Sequence, residues 1–368
     1  MRHPLAAFAL CFAIFLHTAS VLLAEATAKP SGLAASPDSR RDAVNHLDQA
    51  ALQEIFHLLR QSYVQRDSLT LLEMNRAALE GLLGRLDFGA EIVPATQASA
   101  AQQIPPEFSL LGEMLTDRIG YLRPAAFSLA EIPAFDAALK KIVEARATTL
   151  ILDLRCPAPH GEFSAAAQVT ERFVRADEPL FSVQQVGNVQ AQHFRSATGP
   201  LWTGRLVVLI DEESCNVAET IAAVLGLKLK LQIFGAPTRG RTMEYQEAAI
   251  SPTHRLRFAS AEMILPDGRS LFRAGLKPTV LAPQDIEAKH RVFRASQSEG
   301  MKKFIVSIER PRVNEHALVN RTAPELPYHL AKAAGQKSPF DEPPLQDAIT
   351  QQAVDMLVAR DFLEARAP

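Results

Sequence analysis

Cysteine is scarce in this chain, with three among 368 residues, at Cys11, Cys156 and Cys215. That number excludes a small domain held together by disulfides. There is one tryptophan and four tyrosines, and neither sign of charge is in excess, the formal net charge being -2. Without a basic stripe interleaved with aromatics, a nucleic-acid surface is not expected. The ten histidines are scattered without ligand spacing, so neither a metal nor another cofactor is expected. Gly240 with its flanking Arg239 and Arg241 lacks the pattern of a phosphate-binding loop. No internal repeat is visible, and no apolar run beyond the first 25 residues approaches the length needed to span a bilayer.

The first residues form a pattern of their own. Arg2 and His3 precede an apolar run from Leu5 to Leu23, broken only by His17, Thr18 and Ser20, and Ala24-Glu25-Ala26 follows. A basic start, an apolar middle and a small-residue exit read as a secretory signal. Cleavage is expected near Ala26, with export to the periplasm or beyond and no membrane span afterwards. An uncleaved anchor is the competing reading. Cys11 is lost with the leader, which leaves Cys156 and Cys215. Residues 27–45 read as a linker.

The remainder, 47% hydrophobic in overall composition, suits a globular core. Leu52, Ile55, Phe56 and Leu59, then Ala77, Leu79, Leu82, Leu83 and Leu86, recur at helical spacing. Residues 46–116 are therefore expected to be a helical segment followed by a linker rich in Ala, Gln, Pro and Ser. From 117 to 283 strands and helices alternate. Ile119–Arg123, Thr149–Leu154, Leu206–Ile210 and Leu229–Phe234 read as strands. Helices are expected over Ile132–Ala147, Ala165–Val174 and Val217–Leu225. This alternation predicts an α/β layered core. A hairpin-like stretch follows from Arg255, with Pro266-Asp267-Gly268-Arg269 at its turn. Residues 284–368 are charged and punctuated by proline, with a last helix around Leu345–Phe362.

Four motifs occur in order. Ile119-Gly120-Tyr121-Leu122-Arg123 and Leu150-Ile151-Leu152-Asp153-Leu154-Arg155 come first. Asp211-Glu212-Glu213-Ser214-Cys215-Asn216-Val217-Ala218-Glu219 follows, and Leu265-Pro266-Asp267-Gly268-Arg269 closes the series with Gly275-Leu276-Lys277-Pro278 after it. Together they resemble the carboxy-terminal processing (tail-specific) serine proteases, over roughly residues 50 to 283. The resemblance implies a peptidase core acting on peptides or unfolded protein tails. It also implies a serine nucleophile at position 216, a lysine base 25 residues later at 241, and a glutamine at 245. This chain has Asn216, Arg241 and Tyr245 there. Cys156-Pro157-Ala158-Pro159-His160-Gly161 replaces the family's glycine-rich oxyanion loop, and there is too little room for the family's peptide-binding PDZ module.

A carboxamide yields no alkoxide, and a guanidinium keeps its proton at any usable pH. No catalytic residue can therefore be assigned at the family positions. Asn216 reads as the cap of the helix that follows, with Glu219 completing a capping box. Arg241 reads as a solvated charge or an ion-pair partner of Glu212, Glu213 or Glu219, or else as a two-pronged holder of a peptide carboxylate. Arg241 and Gly161 are the candidate peptide-binding residues. Replacement nucleophiles would be Ser214, or Cys215 with His160 as its base. Cys156 and Cys215 could equally be buried thiols or a disulfide.

Overall fold

A computed structural model describes residues 37–98, 107–157, 161–187, 190–282, 285–305, 326, 330, 333–335 and 345–364. The expected signal segment, most of the linker after it, and His160 lie outside the described residues. Among those that are described, no helix is long and apolar enough to cross a membrane.

The chain divides into two compact units, residues 1–82 and 83–368. The first contains helices α1 (Pro37–Asn45) and α2 (Gln49–Ser62) and most of α3 (Leu71–Leu86). Asp48 caps α2 through a 2.8 Å bond from the Ala51 N–H. The helical periodicity around Ile55, Phe56 and Leu59 is realised as predicted, but no residue of α2 is buried. An apolar groove is lined by Phe56, Leu59, Leu69, Met74, Ala77 and Ala78.

In the second unit a six-stranded sheet is built from β2 (Leu111–Met114), β3 (Ile119–Arg123), β4 (Thr149–Asp153), β7 (Arg205–Ile210), β8 (Gln232–Gly235) and β11 (Val280–Leu281). Its order is β11-β8-β7-β4-β3-β2, parallel throughout except for the antiparallel edge strand β2. Every residue of β3 and β4 is buried, as strands covered on both faces require. Helix α4 (Ile132–Glu144) lays Phe135, Leu139 and Ile142 on this sheet. It comes so close that a Cβ on Gly120 would lie 2.4 Å from Ile142 Cγ2. Helix α6 (Val217–Leu229) is buried from Val217 to Leu225, and α5 (Phe163–Glu171) is nearly so.

A second sheet joins β1 (Ala90–Pro94), β5 (Pro179–Gln185), β6 (Gln192–Arg195), β9 (Met243–Ala249) and β10 (His254–Ile264) around the long strand β10. Helix α7 (Ile286–Glu299) begins on an Asp285 cap, and α8 (Ala348–Glu364) packs across β7 and β8.

The α/β expectation holds, with three differences in detail. The stretch read as a linker contributes the edge strands β1 and β2. Strands β5, β6 and β9 had no clear alternating signature in the sequence. Leu229 ends helix α6 and does not begin a strand, because Lys230 closes that helix in the left-handed conformation at φ 49°. The Pro266–Arg269 turn forms where predicted, with the Gly268 N–H donating to the Leu265 carbonyl.

Candidate active-site cleft

Strand β7 leads directly into the turn that carries Asn216. Asp211 Oδ1 accepts the N–H groups of Glu213 and Ser214, closing a tight turn after Ile210. Ser214 is 0% exposed. Its hydroxyl donates to the Leu154 carbonyl at 2.9 Å and accepts from the Asp211 N–H at 2.9 Å. It therefore rivets the turn to the end of β4. A hydroxyl so enclosed, with its proton on a main-chain carbonyl, has no path to a substrate.

Asn216 has φ 49° and ψ −105°, a backbone conformation that non-glycine residues rarely adopt. Holding it there costs on the order of 1–3 kcal/mol. The same strained strand-to-helix corner presents the nucleophile in other hydrolases. The side chain does not cap α6, contrary to expectation, because this corner turns it away from the first-turn N–H groups. Its Nδ2 donates instead to the Gly161 carbonyl at 3.4 Å. Asn216 is 8% exposed, and its Oδ1 is buried without a hydrogen-bond partner among the described residues.

Arg241 is brought to this corner by main-chain bonds. Its carbonyl accepts the Asn216 N–H at 3.1 Å. Glu219, fully buried one turn into α6, accepts the Gly240 N–H and the Arg241 N–H at 2.7 Å each. The expected capping box is thus replaced by a clasp between helix and loop. Burial pushes the Glu219 carboxyl above its ordinary range, against the hydrogen bonds that favour its charge. Gly240 at φ 74° is forced: a Cβ there would sit 2.4 Å from the Leu271 carbonyl oxygen.

The Arg241 side chain makes none of the expected ion pairs. Glu212 is engaged by Arg239, and Glu213 by Lys289 and His290, while Glu219 is satisfied by main-chain N–H groups. The guanidinium lies over the Phe88 ring at 5.4 Å, and its Nε is buried without a partner among the described residues. Next to it Thr242, 0% exposed, has an Oγ1 in the same condition. Tyr245, on β9, donates its hydroxyl to the Phe88 carbonyl at 2.6 Å, so it anchors the segment leading into β1. Burial, with Glu91 nearby, raises its phenol to about 12.

Gly161 begins the described chain beyond His160. A Cβ at this position would meet Val217 Cγ2 at 2.8 Å, so the main chain at Gly161 rests against the start of α6. Cys156 and Cys215 are both buried and form no disulfide. Burial pushes the Cys156 thiol up to about 12, far from a reactive thiolate.

Sequence reading missed a buried polar cluster among the described residues. Asp153 is gripped by Arg155 and by the Tyr121 hydroxyl, the latter at 2.6 Å. Arg155 also pairs with Asp347 at 2.9 Å and bonds to Thr350. Lys289, 0% exposed, donates to Asp211 and Glu213 at 2.6 Å each and to the Arg155 carbonyl. Arg123 donates to Ser296 on α7 at 3.0 Å, so polar residues of three of the four motifs hold α7 and α8 onto the core, and Lys289 fixes the turn that leads to Asn216. Their partners lie more than 70 residues away in sequence, so no local pattern could have joined them.

Residues 118–282 match the Peptidase family S41 profile. The chain is similar to a carboxy-terminal-processing protease of Bartonella bacilliformis, at 25% identity over 186 residues, covering 49% of this chain and 42% of that one. It is similar to a carboxyl-terminal-processing protease of a Picosynechococcus species at 22% identity over 181 residues, covering 49% and 43% respectively. The matched stretch is therefore less than half the length of either relative. Among solved structures, the photosystem II D1 C-terminal processing protease aligns with a TM-score of 0.42 at 20% identity, covering 52% of this chain and 53% of that one. A peptidase-like structure from Parabacteroides merdae aligns with a TM-score of 0.48 at 13% identity, covering 67% and 85%. Residues 118–282 thus carry the match to peptidase family S41, and the similarity to carboxy-terminal-processing proteases extends over about half of the chain.

Proposed function

We propose that this protein is a non-hydrolytic S41 domain that holds an extended peptide, or a segment of a protein partner, in the cleft around Asn216 and Arg241. The observation that carries this reading is the backbone of Asn216. The strained corner that would expose a nucleophile is retained, yet the side chain on it is a carboxamide and the neighbouring base position is a guanidinium. Strain persists where surrounding structure enforces it, and its retention favours a cleft still in use. Losing both members of a nucleophile–base unit costs on the order of a million-fold in turnover. Arg241 and the main chain at Gly161 are the groups assigned to the peptide. The basic, apolar, Ala-x-Ala beginning supports action in the periplasm or outside the cell.

The competing reading is a rewired peptidase using Ser214 or Cys215. The two main-chain bonds of Ser214 and the burial of Cys215 speak against it. Incubating the protein with unstructured polypeptides and following fragments by mass spectrometry separates the two. No cleavage is expected. Cleavage that disappears in Ser214→Ala or Cys215→Ala would overturn the non-hydrolytic reading.

A further inference from the structure

We infer that a second cavity, remote from the Asn216 corner, binds a small organic acid, one carboxylate carried on an apolar body. The cavity has a volume of about 360 Å³, within the range of about 300–1,000 Å³ usual for small-molecule sites. It lies at the amino ends of β7 and β8, where Arg205 and Gln232 begin their strands. The turn that carries Asn216 follows the opposite, carboxy end of β7. Phe173 and Trp202, both 4% exposed, form its aromatic wall. The Leu201 and Trp202 N–H groups both donate to the Arg172 carbonyl, which ties the segments of the two rings together. The indole N–H is committed to the Arg205 carbonyl at 3.2 Å, and a Cβ on Gly204 would lie 2.7 Å from the indole Cζ2. The wall is therefore preformed, and what it offers a ligand is apolar surface.

The charges around it have one sign. Every ionisable side chain in the lining is a cation: Arg205, Lys230 and Arg360. Arg205 pairs with Asp361 and Glu364, Arg360 shares Glu364, and Arg118 takes a part of Asp361. Three guanidinium groups thus draw on two carboxylates, and neither carboxylate lines the cavity. Lys230 is exposed, closes α6 in the left-handed conformation, and has no ion pair among the described residues. Its ammonium carries three donors for a head group. Like charges around a concave, apolar-walled site focus the potential and concentrate anions there. A cationic ligand would be repelled, and a neutral one would leave the excess charge unanswered. Inorganic phosphate would answer the charge but leave the aromatic wall uncovered. A small organic acid does both. Arg360 comes from α8, outside the residues 118–282 that match the family profile, so this chain completes the cavity with a part of its own. The site does not depend on the reading given to the cleft.

Trp202 is the single tryptophan of the chain, so tryptophan emission reports on this cavity. The test titrates the full chain with hydrocinnamate and, separately, with its neutral amide. Emission is excited where phenyl and tyrosine rings do not absorb, and calorimetry follows the same titrations. The acid is expected to shift the emission saturably and to bind at least about tenfold more tightly than the amide, as a charge-assisted bond implies. Lys230→Asn removes the charge and keeps a residue suited to the left-handed cap. It should weaken the acid several-fold and leave the amide unchanged, and Arg360→Gln should do the same, with melting temperatures confirming that both variants are folded. Equal binding of acid and amide would overturn the carboxylate assignment. Heat without a change in Trp202 emission would place the acid elsewhere in the molecule and defeat the inference. So would silence in both signals up to high millimolar concentration, or acid binding unaltered in both folded variants.

Discussion

The main-chain N–H of Asn216 donates to the carbonyl of Arg241 at 3.1 Å, across 25 residues of sequence. Neither side chain takes part in this bond. The two positions where the resemblance places nucleophile and base are thus held together by backbone and by Glu219, and both are free to change identity without loosening the corner. Such an arrangement lets the corner stay in register whatever side chains the two positions carry.

Glu219 should therefore matter to the fold more than either Asn216 or Arg241. Its two oxygens satisfy two buried N–H groups, and Gln can answer only one while turning an amide N–H toward the other. Glu219→Gln is expected to cost about 1–3 kcal/mol. At this chain length that lowers the melting temperature by several degrees, measurable by calorimetry. Asn216→Ala should change it far less. A Glu219→Gln variant as stable as the parent would show that the clasp is dispensable.

The buried charges give a second expectation. Lys289→Met removes the cation between Asp211 and Glu213 and leaves the buried Asp211 carboxylate unpaired beside the half-buried Glu213. Breaking a buried pair from one side costs about 3–5 kcal/mol. The turn before Asn216 should loosen with it, visible as faster amide exchange at 211–216. Removing residues 345–368 should act similarly by stripping Asp347 from Arg155. A variant with unchanged stability and exchange would refute the role given to this cluster.

Acid titration should show two opposing phases. Burial draws Asp153 upward, but Arg155 outweighs it, and the carboxyl is held below its ordinary 3.8. A depressed acid contributes stability that is present above its unfolded value and lost as the pH falls through its folded value. Glu213, buried in part but held down by Lys289 and His290, behaves likewise. Asp211 and Glu219 are raised by burial, so the folded state takes up their protons first and gains stability as the pH falls toward their ordinary values. Stability should thus rise modestly from neutral to mildly acidic pH and fall steeply below about 4. Asp153→Asn should flatten the acid limb of a denaturant-midpoint profile. A profile falling steadily from pH 7 would contradict this ordering.

Cysteine reactivity provides a simpler check. Cys156 is 1% exposed and raised to about 12, and Cys215 is 5% exposed. A thiol reagent at pH 8 should modify neither in the native protein over minutes, and both after denaturation. Rapid native labelling of Cys215 would revive the cysteine-peptidase reading.

The strands that proved legible in sequence were those buried on both faces. Leu150–Leu154 and Leu206–Ile210 read as strands because a continuous apolar run of that length leaves little else. Met243–Ala249 did not, since six of its seven residues are half-buried or exposed and only pairing with β10 makes it a strand. At the site, the identities of Asn216 and Arg241 were legible, but their environments were not. Capping was the natural reading of Asn-x-x-Glu, and it failed because a positive φ at Asn216 is imposed by the turn fixed at Asp211, Ser214 and Leu154. Long-range bonds of that kind leave no periodic trace in a sequence.

Introducing a serine and a lysine at the two positions is the strictest test of what the scaffold can support. Asn216→Ser puts a hydroxyl on a corner already held at φ 49° and ψ −105°. Arg241→Lys puts an amine beside the half-buried position of the guanidinium, and partial burial lowers a lysine's proton affinity toward that of a working base. Neither change alone completes a nucleophile–base pair, so each single variant should stay at the background rate. The double variant should cleave unstructured peptides at least about a hundredfold faster than either single one, because nucleophile and base act as a unit. The rate should climb with pH as the introduced amine loses its proton. Oxyanion donors must come from main chain near Gly161, whose carbonyl now holds the Asn216 amide and would be released by the serine. If the folded double variant were no faster than the singles, the strained corner would have to be assigned to binding alone, with the loop before Gly161 no longer shaped for an oxyanion.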